Sequence, residues 1–117
     1  MAKRGERAPR PRRTTTEWEL WFAGSEAARG WEQLCPQASA NVARFYDRAI
    51  IDPRAAVNPE RHGRLKGQLS TASIKGEAFE QWQFEVTAGG RVWYAIDDAK
   101  RVVWITLASV GHPKATE

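Results

Sequence analysis

The sequence has a single cysteine, Cys35, and only two histidines, His62 and His112, among 117 residues. One thiol cannot close an internal disulfide, and with two widely separated histidines it makes no structural zinc pattern. The residues therefore imply no metal and no cofactor, and a lone thiol fits a reducing cytoplasm. Long apolar runs are also lacking. The stretch "VVWITLASV" is far shorter than the roughly 20 residues a membrane-crossing helix needs, and no apolar signal region follows the basic N-terminus. The expectation is a cytoplasmic chain with no membrane partner.

Positive charge is scarce beyond the first residues. The net charge is +4, yet Lys3, Arg4, Arg7, Arg10, Arg12 and Arg13 against Glu6 put a surplus of +5 in residues 1–13, which leaves the remainder at about −1. Residues 1–16 are expected to form a disordered basic tail. Such a tail can touch nucleic-acid phosphates without reading sequence; it can equally be a solubilising arm with no dedicated partner. The chain as a whole is 42% hydrophobic with six tryptophans, the composition of one globular domain, expected over residues 17–117.

In "EWELWFAG", Trp18, Leu20 and Phe22 alternate with Glu17, Glu19 and Trp21, which predicts a strand. "SEAARGWEQLC" opens at the capping residue Ser25 and puts Ala27, Ala28, Trp31, Leu34 and Cys35 on one helical face, with Gly30 as its weak point. Pro36 interrupts and starts a second helix, in which Val42, Phe45, Tyr46, Ala49 and Ile50 recur at helical spacing until Asp52-Pro53. Residues 53–79 read as a long loop, with a short strand near "RLKGQL". The strands "EQWQFEV", "RVWYAID" and "RVVWITLASV" follow, separated by turns at "TAGG" and "DAK". In the last of them Val103, Ile105 and Leu107 are expected to face the core, and Trp104 and Thr106 the other side.

These elements predict a two-layer α+β domain. It comprises an N-terminal strand, a helical hairpin and a three-stranded antiparallel meander (β-α-α-β-β-β), with both helices on one sheet face. The other face carries Gln81, Gln83, Glu85, Arg91, Trp93, Trp104 and Thr106. It is expected to be open, and function is expected there.

The element order, with Leu65-Lys66-Gly67, then "FEQWQFEV", then Arg91-Val92-Trp93-Tyr94 after a hairpin turn, then Ser109-Val110-Gly111, resembles the RelE/ParE superfamily of type II toxin–antitoxin toxins. The resemblance covers roughly residues 17–114. It implies a small cytoplasmic toxin held inactive by a cognate antitoxin protein. In the RelE branch such a toxin is a ribosome-dependent endoribonuclease that cleaves mRNA and inhibits translation. In the ParE branch the same fold inhibits DNA gyrase and is not a nuclease, and fold alone does not choose between the two.

Metal-free RNA cleavage, in which the 2′-hydroxyl attacks the adjacent phosphate, needs a base, an acid and a cation for the developing charge. The resemblance implies a phosphate-contacting arginine at Arg91, where a guanidinium grips phosphate through two hydrogen bonds; the plainer role is to cap the hairpin or pair with Glu85. His112, directly after Ser-Val-Gly, lies close to the position where YoeB- and HigB-like relatives place a catalytic histidine, and imidazole exchanges protons near neutral pH. Its plainer role is that of a solvated side chain near the end of the sequence. Glu85 is the candidate carboxylate base, although it and Glu60 are both out of register with the family's glutamate. Arg64, Lys66 and Lys114 are candidates to bind RNA, or ordinary loop charges, and Trp93 or Trp104 offers a face to a base or packs on the sheet. Where RelE carries outward lysines before the hairpin, this chain has Gln83 and Glu85, and it ends at Glu117 without the family's usual closing aromatic. Those departures favour the alternative, a non-enzymatic protein that binds gyrase or only an antitoxin.

Overall fold

A computed structural model describes residues 4–5, 7–8, 11, 16–55 and 62–111. His112, Lys114, Glu60 and most of the tail expected over residues 1–16 lie outside them. Two helices pack on one side of a mixed six-stranded sheet. Strand β1 (Glu19–Phe22) leads into α1 (Ser25–Gln37) and α2 (Ser39–Ala49). After these come β2 (His62–Arg64), a 3₁₀ turn (Gly67–Ser70), β3 (Thr71–Ile74), β4 (Glu77–Glu85), β5 (Arg91–Asp97) and β6 (Val102–Ser109). The sheet order is β1-β6-β5-β4-β2, with β3 also paired to β4. The expected meander is present as β4, β5 and β6, but it is the centre of a larger sheet. β1 adds a parallel edge, with Glu19 opposite Val102, and β2 and β3 pair with successive parts of β4. None of the helices among the described residues is long and apolar enough to cross a membrane.

Pro36 does not start the second helix as its position suggested. It sits in the last turn of α1, and the break falls at Ala38 (φ −143, ψ 40). A proline lacks the N–H that bonds four residues back, a loss α1 tolerates because it ends one residue later. Gly30, the apparent weak point of α1, marks its closest approach to the sheet: a Cβ there would lie 1.9 Å from the backbone oxygen of Ala108. Phe45 of α2 is the hub of the core, its ring centroid 5.2 Å from that of Phe84 and 5.3 Å from that of Tyr94. Leu34 and Val42 from the helices and Val92, Ile96, Val103 and Ile105 from the sheet close around it.

Two expectations about the sheet are corrected. Trp93 opposes Leu107, whereas Tyr94 opposes Ile105, so Thr106 is the extra residue of a β-bulge. The bulge turns Leu107 to the side of Trp93 and puts Ala108 into the core in its place. The face away from the helices is not open either. The 3₁₀ turn lies across it, the Leu69 carbonyl accepting from Gln81 Nε2 at 2.9 Å, and Gln81, Trp93, Ala95 and Asp97 are all buried. This cover comes from the stretch expected to be a long loop. There, Ile74 and Glu77 flank a two-residue hairpin turn whose Lys75 (φ 51) and Gly76 (φ 84) both have positive φ, the geometry that suits tightly twisted strands.

In an exposed helix Gly→Ala stabilises by up to about 1 kcal/mol. Gly30→Ala is expected to do the reverse, destabilising by about 1–3 kcal/mol through overpacking against β6. Urea unfolding would report this as a lower midpoint with the same slope; an unchanged or raised midpoint would contradict the close approach.

Candidate functional site

The end of the sheet where β4 turns into β5 gathers the sequence-derived candidates. Val86 N–H bonds the Gly90 carbonyl at 3.0 Å and Gly90 N–H bonds Thr87 Oγ1 at 2.6 Å, closing the turn. Gly90 has no room for a side chain: a Cβ would meet Thr87 Oγ1 at 2.7 Å and Leu34 Cδ1 at 3.2 Å. Asn41 of α2 donates Nδ2–H to the Val86 carbonyl at 2.6 Å, tying the helical layer to the same turn.

Arg91 folds back over this turn. Its Nη1 donates to the carbonyls of Thr87 and Ala88, each at 3.2 Å, and of Gly90 at 3.1 Å. Its Nη2 lies 3.6 Å from Glu85 Oε1. Both plain roles open to Arg91, turn cap and partner of Glu85, are therefore realised at once, and the residue is 6% exposed. Ser109 is the register partner of Arg91, and its Oγ donates to the Gly111 carbonyl at 2.7 Å. Gly89 reaches the same place, since a Cβ on it would lie 3.7 Å from Gly111 Cα. Glu85, Arg91, Ser109 and Gly111 thus converge, and His112 is the next residue in sequence.

The other candidates lie elsewhere. Trp93 is 5% exposed with its Nε1–H on Gln83 Oε1 at 2.8 Å, so its faces are packed rather than offered. Arg64 pairs in register with Trp82, on the helix side of the sheet, whereas Glu85 and Arg91 are on the opposite side. Its guanidinium is 3.9 Å from Glu80 Oε2 and 3.5 Å from the Ser70 carbonyl. Lys66 is exposed just before the 3₁₀ turn. The sheet therefore brings Glu85 and Arg91 together but not Arg64 with either.

Sequence reasoning missed two clusters. Arg54 donates both terminal nitrogens to Asp98, at 2.9 and 2.8 Å, and Nε to Glu80 at 2.6 Å. That contact holds Asp98 and Glu80 below their ordinary values and raises Arg54 above its own. With Asp98 65% exposed, such a pair contributes about 0–1 kcal/mol and acts mainly as a fastener between the α2 exit and the β5–β6 turn. The second cluster is buried. Tyr94 donates its hydroxyl to the Pro53 carbonyl at 2.7 Å and so accepts from Nε2–H of His62. The His62 ring packs within 5.7 Å of Trp82 and 5.2 Å of Phe84, which reads as a core histidine joining β2 to β5.

No protein-family model matches the chain, and no curated protein matches it. The class of protein defined so far is a two-layer α+β domain with a mixed sheet and a buried, hydrogen-bonded turn at one end.

Burial, and after it the Arg48 charge, pushes His62 below its ordinary value of 6.5. A depressed histidine leaves the unfolded chain the better proton binder, so stability is complete above 6.5 and is lost as pH falls from there toward the folded value. The wild type is expected to lose stability as pH falls below about 6.5. His62→Gln, which keeps an N–H for Tyr94, is expected to lose less over the same range. Equal losses in denaturant titrations would contradict this role.

Proposed function

We propose that this chain is a RelE-like toxin that cleaves ribosome-bound mRNA and is held inactive by a cognate antitoxin. The observation that carries the reading is the convergence of Glu85, Arg91 and Ser109 at one end of the sheet, with His112 following Gly111 in the sequence. Glu85 takes the proton of the RNA 2′-hydroxyl as that oxygen attacks the neighbouring phosphorus. His112 donates a proton to the departing 5′-oxygen, leaving a 2′,3′-cyclic phosphate and a 5′-hydroxyl. Arg91 acts as a positioning residue: three carbonyls anchor one nitrogen, and the other faces the carboxylate of Glu85. Lys114 and Lys66 supply charge to the RNA backbone, whereas Arg64, on the other side of the sheet, does not.

One observation favours a second reading, non-enzymatic binding of gyrase or of an antitoxin alone. Arg91 and Trp93, the two β5 residues assigned to RNA, are 6% and 5% exposed.

Arg91→Ala would remove the buried guanidinium that caps the turn and partners Glu85, and would confound folding with catalysis. The test therefore uses His112→Ala and Glu85→Gln in a translating extract, with cleavage mapped on ribosome-bound message. The wild type is expected to cleave, and each variant to do so about 10²- to 10⁴-fold more slowly, while gyrase supercoiling is unaffected. A wild type that leaves the message intact but blocks supercoiling would transfer the assignment to the second reading.

A further inference from the structure

Strand β1 is an edge of the sheet: among the described strands it pairs only with β6. Glu19 N–H bonds the Arg101 carbonyl at 3.0 Å and Ala23 N–H bonds the Ile105 carbonyl at 2.9 Å, so the odd-numbered residues turn their backbone toward β6. Backbone direction alternates along a strand, and Leu20 and Phe22 therefore present their N–H and C=O groups outward. The free stretch is short. Before it, Trp18 N–H is taken by the Ile50 carbonyl at 2.8 Å; after it, Gly24 caps α1.

Folded proteins protect such edges with lysine, proline, a bulge or a very short strand. The opposite edge follows that rule, since β2 is only His62-Gly63-Arg64. β1 has neither lysine nor proline: it reads Glu-Leu-Trp-Phe, with Trp21 54% and Phe22 42% exposed. On the helix side, Leu20, Trp31 and Tyr46 continue this apolar surface along a hollow of about 770 Å³, which Arg7, Ala8 and Pro11 also border. On the other side Trp21 lies against Trp104, ring centroids 6.2 Å apart, and a groove of about 790 Å³ separates it from the β3–β4 hairpin.

We infer that β1 is a dimerisation strand, which pairs antiparallel with β1 of a second copy of this chain across a twofold axis at Trp21. Leu20 of each copy then exchanges two hydrogen bonds with Phe22 of the other, through the groups that face outward. Trp21 meets its own counterpart as the intervening pair, the kind whose side chains approach more closely. The sequence suits its own reverse. Glu19 falls opposite Ala23, Glu17 opposite Ser25 and Glu26 opposite Thr16, so no carboxylate faces another. The two Glu19 residues lie about 13 Å apart along the strands at about 3.3 Å per residue, beyond the roughly 8 Å screening length of physiological salt. The cations close to the strand, Arg101 and Lys75, sit over Trp18 and Trp104 rather than over Trp21. A foreign strand would have to bring this match with it, whereas a second copy carries it already, and an isologous contact closes the assembly at two. Trp21, Trp104 and their counterparts form a row across one continuous sheet. The dimer does not depend on the ribonuclease reading.

The test follows the mass of the full chain by sedimentation equilibrium at protein concentrations up to about 0.5 mM. The wild type is expected to pass reversibly from 13.2 kDa toward twice that mass. Trp21→Lys and Trp21→Glu each set like charges face to face and are expected to weaken the dimer about tenfold or more. Their equimolar mixture is expected to associate more tightly than either variant alone. Position 21 is exposed, so the fold is kept. A dimer that Trp21→Lys leaves unchanged would place the interface elsewhere, and a mixture no tighter than its components would reject the axis at Trp21. A wild type that stays monomeric overturns the dimer; if high salt then brings association on, the occupant of the edge is the chain's own basic segment 1–13.

Discussion

Every residue of β5, from Arg91 to Asp97, is buried, and a strand buried on both sides must be covered on both. The helices do this for Val92, Tyr94 and Ile96; the 3₁₀ turn and the β3–β4 hairpin do it for the opposite side. The polar members of this part of the sheet then need partners inside, because an unsatisfied buried group costs about 1–3 kcal/mol. Arg91 finds three carbonyls, Trp93 finds Gln83 and Tyr94 finds Pro53. Gln81, next to β5 on β4, bonds the Leu69 carbonyl and accepts from Thr106 at 2.5 Å. Much of the hydrogen bonding outside the ladders therefore answers to the position of one strand.

That strand, its two meander neighbours and the helical hairpin are legible in the sequence because their signals are local. Alternation around Trp82, Phe84, Tyr94 and Ile96, and the recurrence of Val42, Phe45 and Ala49, can be read without knowing what lies opposite. The corrections come where the deciding contact is remote. Ile105, Thr106 and Leu107 alternate without fault in sequence, and only pairing with β5 introduces the bulge that turns Leu107 away from the core. Strand β3 carries small residues at Ala72 and Ser73, so its apolar signal is weak, although Lys75-Gly76 between Ile74 and Glu77 has the length of a tight hairpin turn. No local pattern says that this hairpin covers the second sheet face.

The site divides in the same way. Glu85 and Arg91 flank a short turn, so their proximity follows from the hairpin itself, and the two plain roles written for Arg91 both describe its surroundings. Its burial was not legible, because it depends on the carbonyls of Thr87, Ala88 and Gly90 pointing inward. The meeting of Trp21 with Trp104 was equally hidden, since one lies on the first strand and the other on the last.

The pairing of those two strands has a kinetic side. Among the described strands β1 pairs only with β6, Glu19 beside Val102 and Phe22 beside Ile105, so the first of them to be synthesised has no place in the sheet until the last of them has been made. Contacts between such distant parts of a chain carry a large loop-closure entropy and slow folding relative to local pairing. While a ribosome is still translating this message, β4 and β5 can zip and the helices can form, but Trp21 and Trp104 cannot meet. The molecule completes this edge of its sheet only after β6 has left the exit tunnel, so until then β1 is a strand without a partner among the described ones.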